Sequence, residues 1–174
     1  MQRIFVVLGL LFQLVFLGCS KTDPVKLVKS GTLKIDESVT VGHALDHYAF
    51  FKDTNWKEVR DSQQRNIVIF EGTLDIDKCS GAKIEEVGLT VTPEMVKNGK
   101  DNLGDLIITY VAQFTVNTDG KTFQLTNSFH RIEGTNKATK QKISQDMLDP
   151  DNQIFSLYIY RNKLDPVLLP FLIH

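Results

Sequence analysis

Two runs of alternating apolar residues, joined by a tight turn, constrain this chain more than anything else in it. Leu106, Ile108, Tyr110, Ala112, Phe114 and Val116 recur every second residue, the period that puts side chains on one face of a β-strand. Asn117-Thr118-Asp119-Gly120 follows, and such residues supply the backbone angles that a hairpin turn needs. The return strand, Lys121 to Ile132, brings Phe123, Leu125 and Phe129 to one face. A hairpin with one apolar face must be covered on that face by helices or by a second sheet.

The rest of the pattern supplies both strands and helices. Gly31 to Asp36 alternates as a strand does, Trp56 to Arg60 reads as another, and Asp61-Ser62-Gln63-Gln64 is a polar turn. Ile67-Val68-Ile69-Phe70 opens a strand running to about Ile76, and four consecutive apolar residues suit a position inside a sheet. Thr40 caps a helix expected over residues 41–52, with Val41, Ala44, Leu45, Tyr48 and Phe51 on one stripe. Thr92-Pro93-Glu94 starts a second helix, with a cap, a proline in the first turn and an acid at the positive end of the dipole. Asn98-Gly99 is expected to end it. Lys78 to Gly88 is weakly patterned, 134–142 reads as a loop, and 144–163 leans to helix although Phe155 to Tyr160 also fits a strand. The apolar end, Val167 to Ile173, is too short to span a bilayer and is expected to pack on the domain. The fold class expected is α+β: an antiparallel sheet with two to three helices packed on one face.

The amino terminus has a different character. One positive charge, Arg3, precedes the apolar run Ile4 to Leu17, which ends in Gly18-Cys19-Ser20. That run suits the apolar region of a secretory signal and is too short for a transmembrane helix. A small residue before a cysteine suits cleavage between Gly18 and Cys19, and the cysteine thiol then takes a diacylglycerol as a thioether. The segment resembles the bacterial lipobox, with Phe16 where leucine is usual. The organisation expected is a signal peptide over 1–18, lipidated Cys19 and a polar tether over 19–30, and the α+β domain over 31–174. The resemblance implies a lipid-anchored protein of the cell envelope. Ser20, rather than aspartate, after the cysteine favours the outer membrane, facing the periplasm, by analogy with enterobacterial sorting. With Cys19 carrying lipid, Cys79 has no partner within the chain and is expected as a small buried hydrophobe.

An internal echo joins Gly31-Thr32-Leu33-Lys34-Ile35-Asp36 to Gly72-Thr73-Leu74-Asp75-Ile76-Asp77, each followed by a threonine-valine pair near a helix start. A tandem β-α-β-β repeat would produce it. Thr40-Val41-Gly42-His43-Ala44-Leu45, Trp56 and the segment Arg65 to Gly72 resemble small envelope lipoproteins with the two-layer fold of the β-lactamase inhibitory protein and of outer-membrane-assembly lipoproteins. The resemblance covers about residues 31–76. It implies a helix-backed sheet that binds proteins without catalysis. The disulfides of the inhibitory protein have no counterpart here, which argues against carrying over its inhibitory activity.

Candidate chemistry is sparse. His43 and His47 stand four apart on the first helix with Asp46 beside them, so both rings face one side and are the candidates for a metal. Ala44 stands where a zinc hydrolase would need a glutamate. His130 adjoins Arg131 without a nucleophile motif, and no Gly-x-Ser-x-Gly, phosphate loop or Cys-x-x-Cys occurs. Glu85-Glu86 and Asp75/Asp77 read as solvated acids. Among the aromatics around the first helix, Phe50 and Trp56 are the candidates for an exposed binding surface. The formal charge of -1 provides no basic excess for phosphates, which excludes nucleic acid as the expected partner. The function expected is a non-enzymatic, lipid-anchored protein-binding or scaffold module that uses no cofactor. The rivals are a periplasmic inhibitor or ligand-binding module, and a small metal-dependent enzyme built on His43 and His47.

Overall fold

The computed structural model describes residues 23–135, 140–149 and 154–173. Gly18, Cys19 and the whole signal segment lie outside the described residues. The chain begins with helix α1 (Pro24–Ser30), followed by a small hairpin of β1 (Thr32–Leu33) and β2 (Asp36–Thr40), then α2 (Val41–Asp46). The long strands β3 (Phe51–Arg60) and β4 (Asn66–Leu74) come next, followed by a minor pair, β5 (Lys83–Ile84) and β6 (Leu89–Thr90). After α3 (Pro93–Leu103), β7 (Ile107–Val116), β8 (Phe123–Thr135) and β9 (Lys142–Leu148) complete the main sheet. The chain closes with α4 (Ile154–Tyr160), a 3-10 turn at Pro166–Leu168 and α5 (Leu169–Ile173).

The main sheet is an antiparallel meander in the order β3-β4-β7-β8-β9. The α+β class therefore holds, with five short helices among the described residues in place of two or three. Its covered face carries Trp56, Phe70, Ile108, Tyr110, Ala112 and Phe114; all but Trp56, which is half-buried, are almost completely buried. α1 packs on β3, β4 and β7, and α4 packs on β8. Leu168 and Leu172 bring the carboxyl-terminal segment into the same core, so that segment does pack. β4 lies between β3 and β7, the inner position that its apolar run implied.

Several local expectations change, each for a physical reason. Residues 24–30 are not part of a tether. Asp23 accepts hydrogen bonds from the Val25 and Lys26 amides, Pro24 occupies the first turn, and Val28 is fully buried, so the segment is a docked helix. Gly31 to Asp36 is the small hairpin and its turn, whereas Gly72-Thr73-Leu74 ends β4. The echoed hexapeptides thus take different structures, although each of α2 and α3 is followed by a pair of long strands. The first helix stops at Asp46, and Phe51 already belongs to β3.

α3 runs through Asn98-Gly99 to Leu103. Gly99 is needed for close packing: a Cβ there would sit 2.5 Å from Ile76 Cδ1 and 3.3 Å from Leu172 Cδ2. The expected helix over 144–163 divides into β9 and α4, and the two ends of the expected 134–142 loop belong to β8 and β9.

The β7–β8 hairpin holds, and Asp119 secures its turn by accepting from the Lys121 and Thr122 amides. Its register shifts once. Gln113 faces Asn127 but Phe114 faces Leu125, so Thr126 is an extra residue whose hydroxyl donates to the Gln113 carbonyl. Beyond this bulge the faces exchange. Ser128, His130 and Ile132 join Phe123 and Leu125 on the covered side, and Phe129 turns to the other face opposite Val111. Phe129 is therefore not on the face its spacing implied.

Candidate functional site

The face of the sheet turned away from the helices is where polar and apolar groups meet at the surface. Strand alternation and register place Asp53, Asn55, Lys57 and Val59 of β3 there, with Ile67, Ile69, Glu71 and Thr73 of β4 beside them. β7 adds Thr109, Val111 and Gln113, and β8 adds Phe129, Arg131 and Glu133. Leu148 of β9 stands next to Phe129 and is 62% exposed. The Arg131 guanidinium roofs Phe129, its carbon 5.4 Å from the ring centre.

Two ion pairs organise the charge on this face. Lys57 lies 2.7 Å from Glu71, and Arg131 lies 3.0 Å from Asp146. The Lys57 hydrogen bond holds the Glu71 carboxyl below the usual carboxylate range, and the Asp146 hydrogen bond holds the Arg131 guanidinium more firmly charged. At the end of the sheet where β3 and β7 begin, Asp53, Asn55, Glu71, Thr73, Thr109, Arg131 and Glu133 line a depression of about 280 Å³. A second hollow adjoins it. Leu74, Ile76, Leu103, Leu106, Ile107, Ile108 and Leu168 line a largely apolar trough of about 340 Å³, with Lys52, Asp53 and Thr73 also in its wall. Asp53 and Thr73 line both hollows, so the two form one cleft around the sheet end. A concave site with apolar walls and a few converging polar groups is the usual form of a ligand pocket.

The backbone explains why the trough is there. Gly134 has φ +143°, and a Cβ on it would lie 2.5 Å from the Asp105 carbonyl oxygen. The Thr135 amide donates to Asp105 Oδ1. These contacts hold the 104–106 loop against the end of β8 and set Leu106 and Ile107 on the rim. Ile107 is 55% exposed.

Among the described residues, none of Phe50, Trp56, His43 and His47, the site candidates read from sequence, lines this cleft. Phe50 is buried, packed edge-on against Tyr48, and offers no surface. Trp56 is half-buried on the covered face, packing against Phe70 and Phe114. Its Nε1 donates to Asp46 Oδ1 at 2.7 Å, and Lys29 pairs with that same carboxylate while lying 5.2 Å over the indole. The expected binding aromatics are thus packing groups: α1 and α2 close over positions that looked free.

His43 and His47 do share one exposed side of α2, and their rings stack with centroids 4.6 Å apart. The His47 Nδ1 lies 3.1 Å from the His43 carbonyl oxygen. Among the described residues no group of three or more His, Cys, Asp or Glu side chains is placed to hold a metal ion.

His130 is fully buried, 2.9 Å from the equally buried Asp165, and Phe155 packs edge-on against its ring. With the Tyr110–Ser156 hydrogen bond of 2.9 Å it fastens the carboxyl-terminal segment to the sheet. Asp75 caps the 3-10 turn Ile76–Cys79, and Asp77 pairs with Lys100 at 2.9 Å, so this acid pair is not on a strand. Glu85 pairs with Lys163. Cys79 is buried, and burial pushes its thiol up to about 12.

No family model, curated protein or solved structure matches this chain. Among the described residues no helix is long and apolar enough to cross a membrane.

Proposed function

We propose that the protein is a lipid-anchored envelope module that binds a protein partner, without catalysis, through the uncovered face of its sheet. The anchoring half of this reading rests on the sequence Leu17-Gly18-Cys19 after a short apolar run. The binding half rests on one structural observation. Among the described residues helices pack on one side of the sheet, and its other side exposes Val59, Ile107 and Leu148 among ion pairs. Apolar side chains rimmed by polar ones on a continuous face mark surfaces that exclude water by docking.

Two experiments test the two halves separately. Cys19→Ala removes the sulfur that would carry the diacylglycerol, so the protein should leave the membrane fraction. Retention of the variant in that fraction, or a wild-type mass without acyl chains, overturns the anchoring. A photo-cross-linking amino acid at Gln113, on the uncovered face, should give a discrete adduct in intact cells. The same group at Lys97, exposed on α3, should give none. Equal labelling from both positions, or no adduct from Gln113, removes the uncovered face as the docking surface.

A further inference from the structure

We infer that the cleft at the end of the sheet takes an extended peptide segment carrying an aliphatic residue next to a basic one. This rests on the protein-binding reading above and specifies the chemistry of the partner.

The apolar half of the argument is the trough. Leu103, Leu106 and Ile107 form its accessible wall, and Ile108 and Leu168 form its floor, buried at 3% and 1% exposure. Among the described residues no charged side chain other than Lys52 and Asp53 lines it. An aliphatic side chain seated there removes apolar surface from water on both partners.

The charged half is the adjoining depression. Three carboxylates, Asp53, Glu71 and Glu133, line it with one guanidinium, Arg131. Lys57 neutralises Glu71 and Asp146 neutralises Arg131. Arg131 also faces Glu133 and Glu71, so two cations stand against Asp53, Glu71, Glu133 and Asp146 and the depression keeps a net negative charge. The Asp53 side chain makes no hydrogen bond or ion pair among the described residues, and Asp53 is, with Thr73, where trough and depression meet. Lys52 lines the trough but not the depression. A cation therefore has one favourable place, directly beside the apolar seat. An anionic ligand meets the net negative charge instead, and the arrangement selects against it.

The test uses the mature protein as isolated from cells, titrated by calorimetry with end-blocked pentapeptides at low salt. The probes are Leu-Leu-Thr-Lys-Arg, its reverse, and analogues with Glu in place of Lys and Arg. At least one basic peptide should bind about fivefold or more tightly than its acidic analogue, and salt should erode the difference. The double substitution Asp53→Asn with Glu133→Gln should remove the preference while keeping residual binding. Ile107→Ser, at an exposed position, should weaken every peptide. Equal binding of basic and acidic peptides, no binding at all, or insensitivity to these substitutions overturns the inference. Adducts from Gln113 without a basic preference would sink the ligand class alone. Loss of the Gln113 adducts would sink the docking reading beneath it.

Discussion

The two faces of the main sheet are built from the same strands and obey different rules. On the covered face β7 presents Ile108, Tyr110, Ala112 and Phe114, none more than 3% exposed. On the other face the same strand buries Val111 and Thr115 but presents Ile107, Thr109 and Gln113 less deeply, at a rim of ion pairs and exposed aliphatics. Alternation decides which residues go where, and bulges decide where alternation is interrupted. The covered face holds the stability of the domain. Among the described residues of the other face only Val111, Phe129 and Thr115 are buried, and the residues around them are free to vary in chemistry, which is the condition a recognition surface needs.

That contrast breaks first at Phe70. Phe70→Ala should cost about 3–5 kcal/mol in urea unfolding, because the ring is fully buried against Trp56, Phe51 and Tyr110. A cost under about 1 kcal/mol would mean the covered face is not the core.

Gly72→Ala probes the same face from the small side. The added Cβ would sit 2.7 Å from the Phe51 ring, and overpacking should cost about 1–3 kcal/mol by the same measurement. Gln113→Ala, one strand away on the other face, should change stability by no more than about 0.5 kcal/mol. A larger loss would show that the uncovered face is structural.

The smallest effect is a pH dependence. Because Lys57 depresses the folded Glu71 carboxyl, this group's contribution is complete above its unfolded value of about 4.3. It fades as the pH falls through the lower folded value. Lys57→Met should move the Glu71 titration upward, toward that unfolded value, in carbon-detected NMR. An unmoved midpoint would assign the depression to another group.

How much of this was legible in the chain depended on distance along it. The β7–β8 hairpin, the Thr40 and Thr92 caps and the packing of the apolar end follow from neighbours within a few residues. The bulge at Thr126 does not, because only the partner strand fixes which residue is left over, and with it the face of Phe129. Gly99 looked like a stop signal, yet its meaning comes from Leu172 of α5, far off in sequence. Phe50 looked available because it fell off the apolar stripe of the helix expected over 41–52, and Trp56 because α1, whose Lys29 lies over it, was read as part of a tether. The cleft was hidden for the opposite reason. Asp53, Glu71, Thr109 and Glu133 lie on four different strands, and each alone is an ordinary polar residue on a solvated face. Only pairing brings them together.

Under the proposed acylation of Cys19, the docked first helix would set how closely the domain rides a bilayer. From Cys19 to Asp23, where α1 is already capped, the chain has four Cα–Cα steps, a leash of at most about 14 Å. That is no more than about half the thickness of the hydrocarbon core itself. The domain then has no stalk on which to roam. Anchored in that way, it would skim the headgroups with the exposed Lys26 of its first helical turn close to the lipid, and a partner would have to approach from the side or from above.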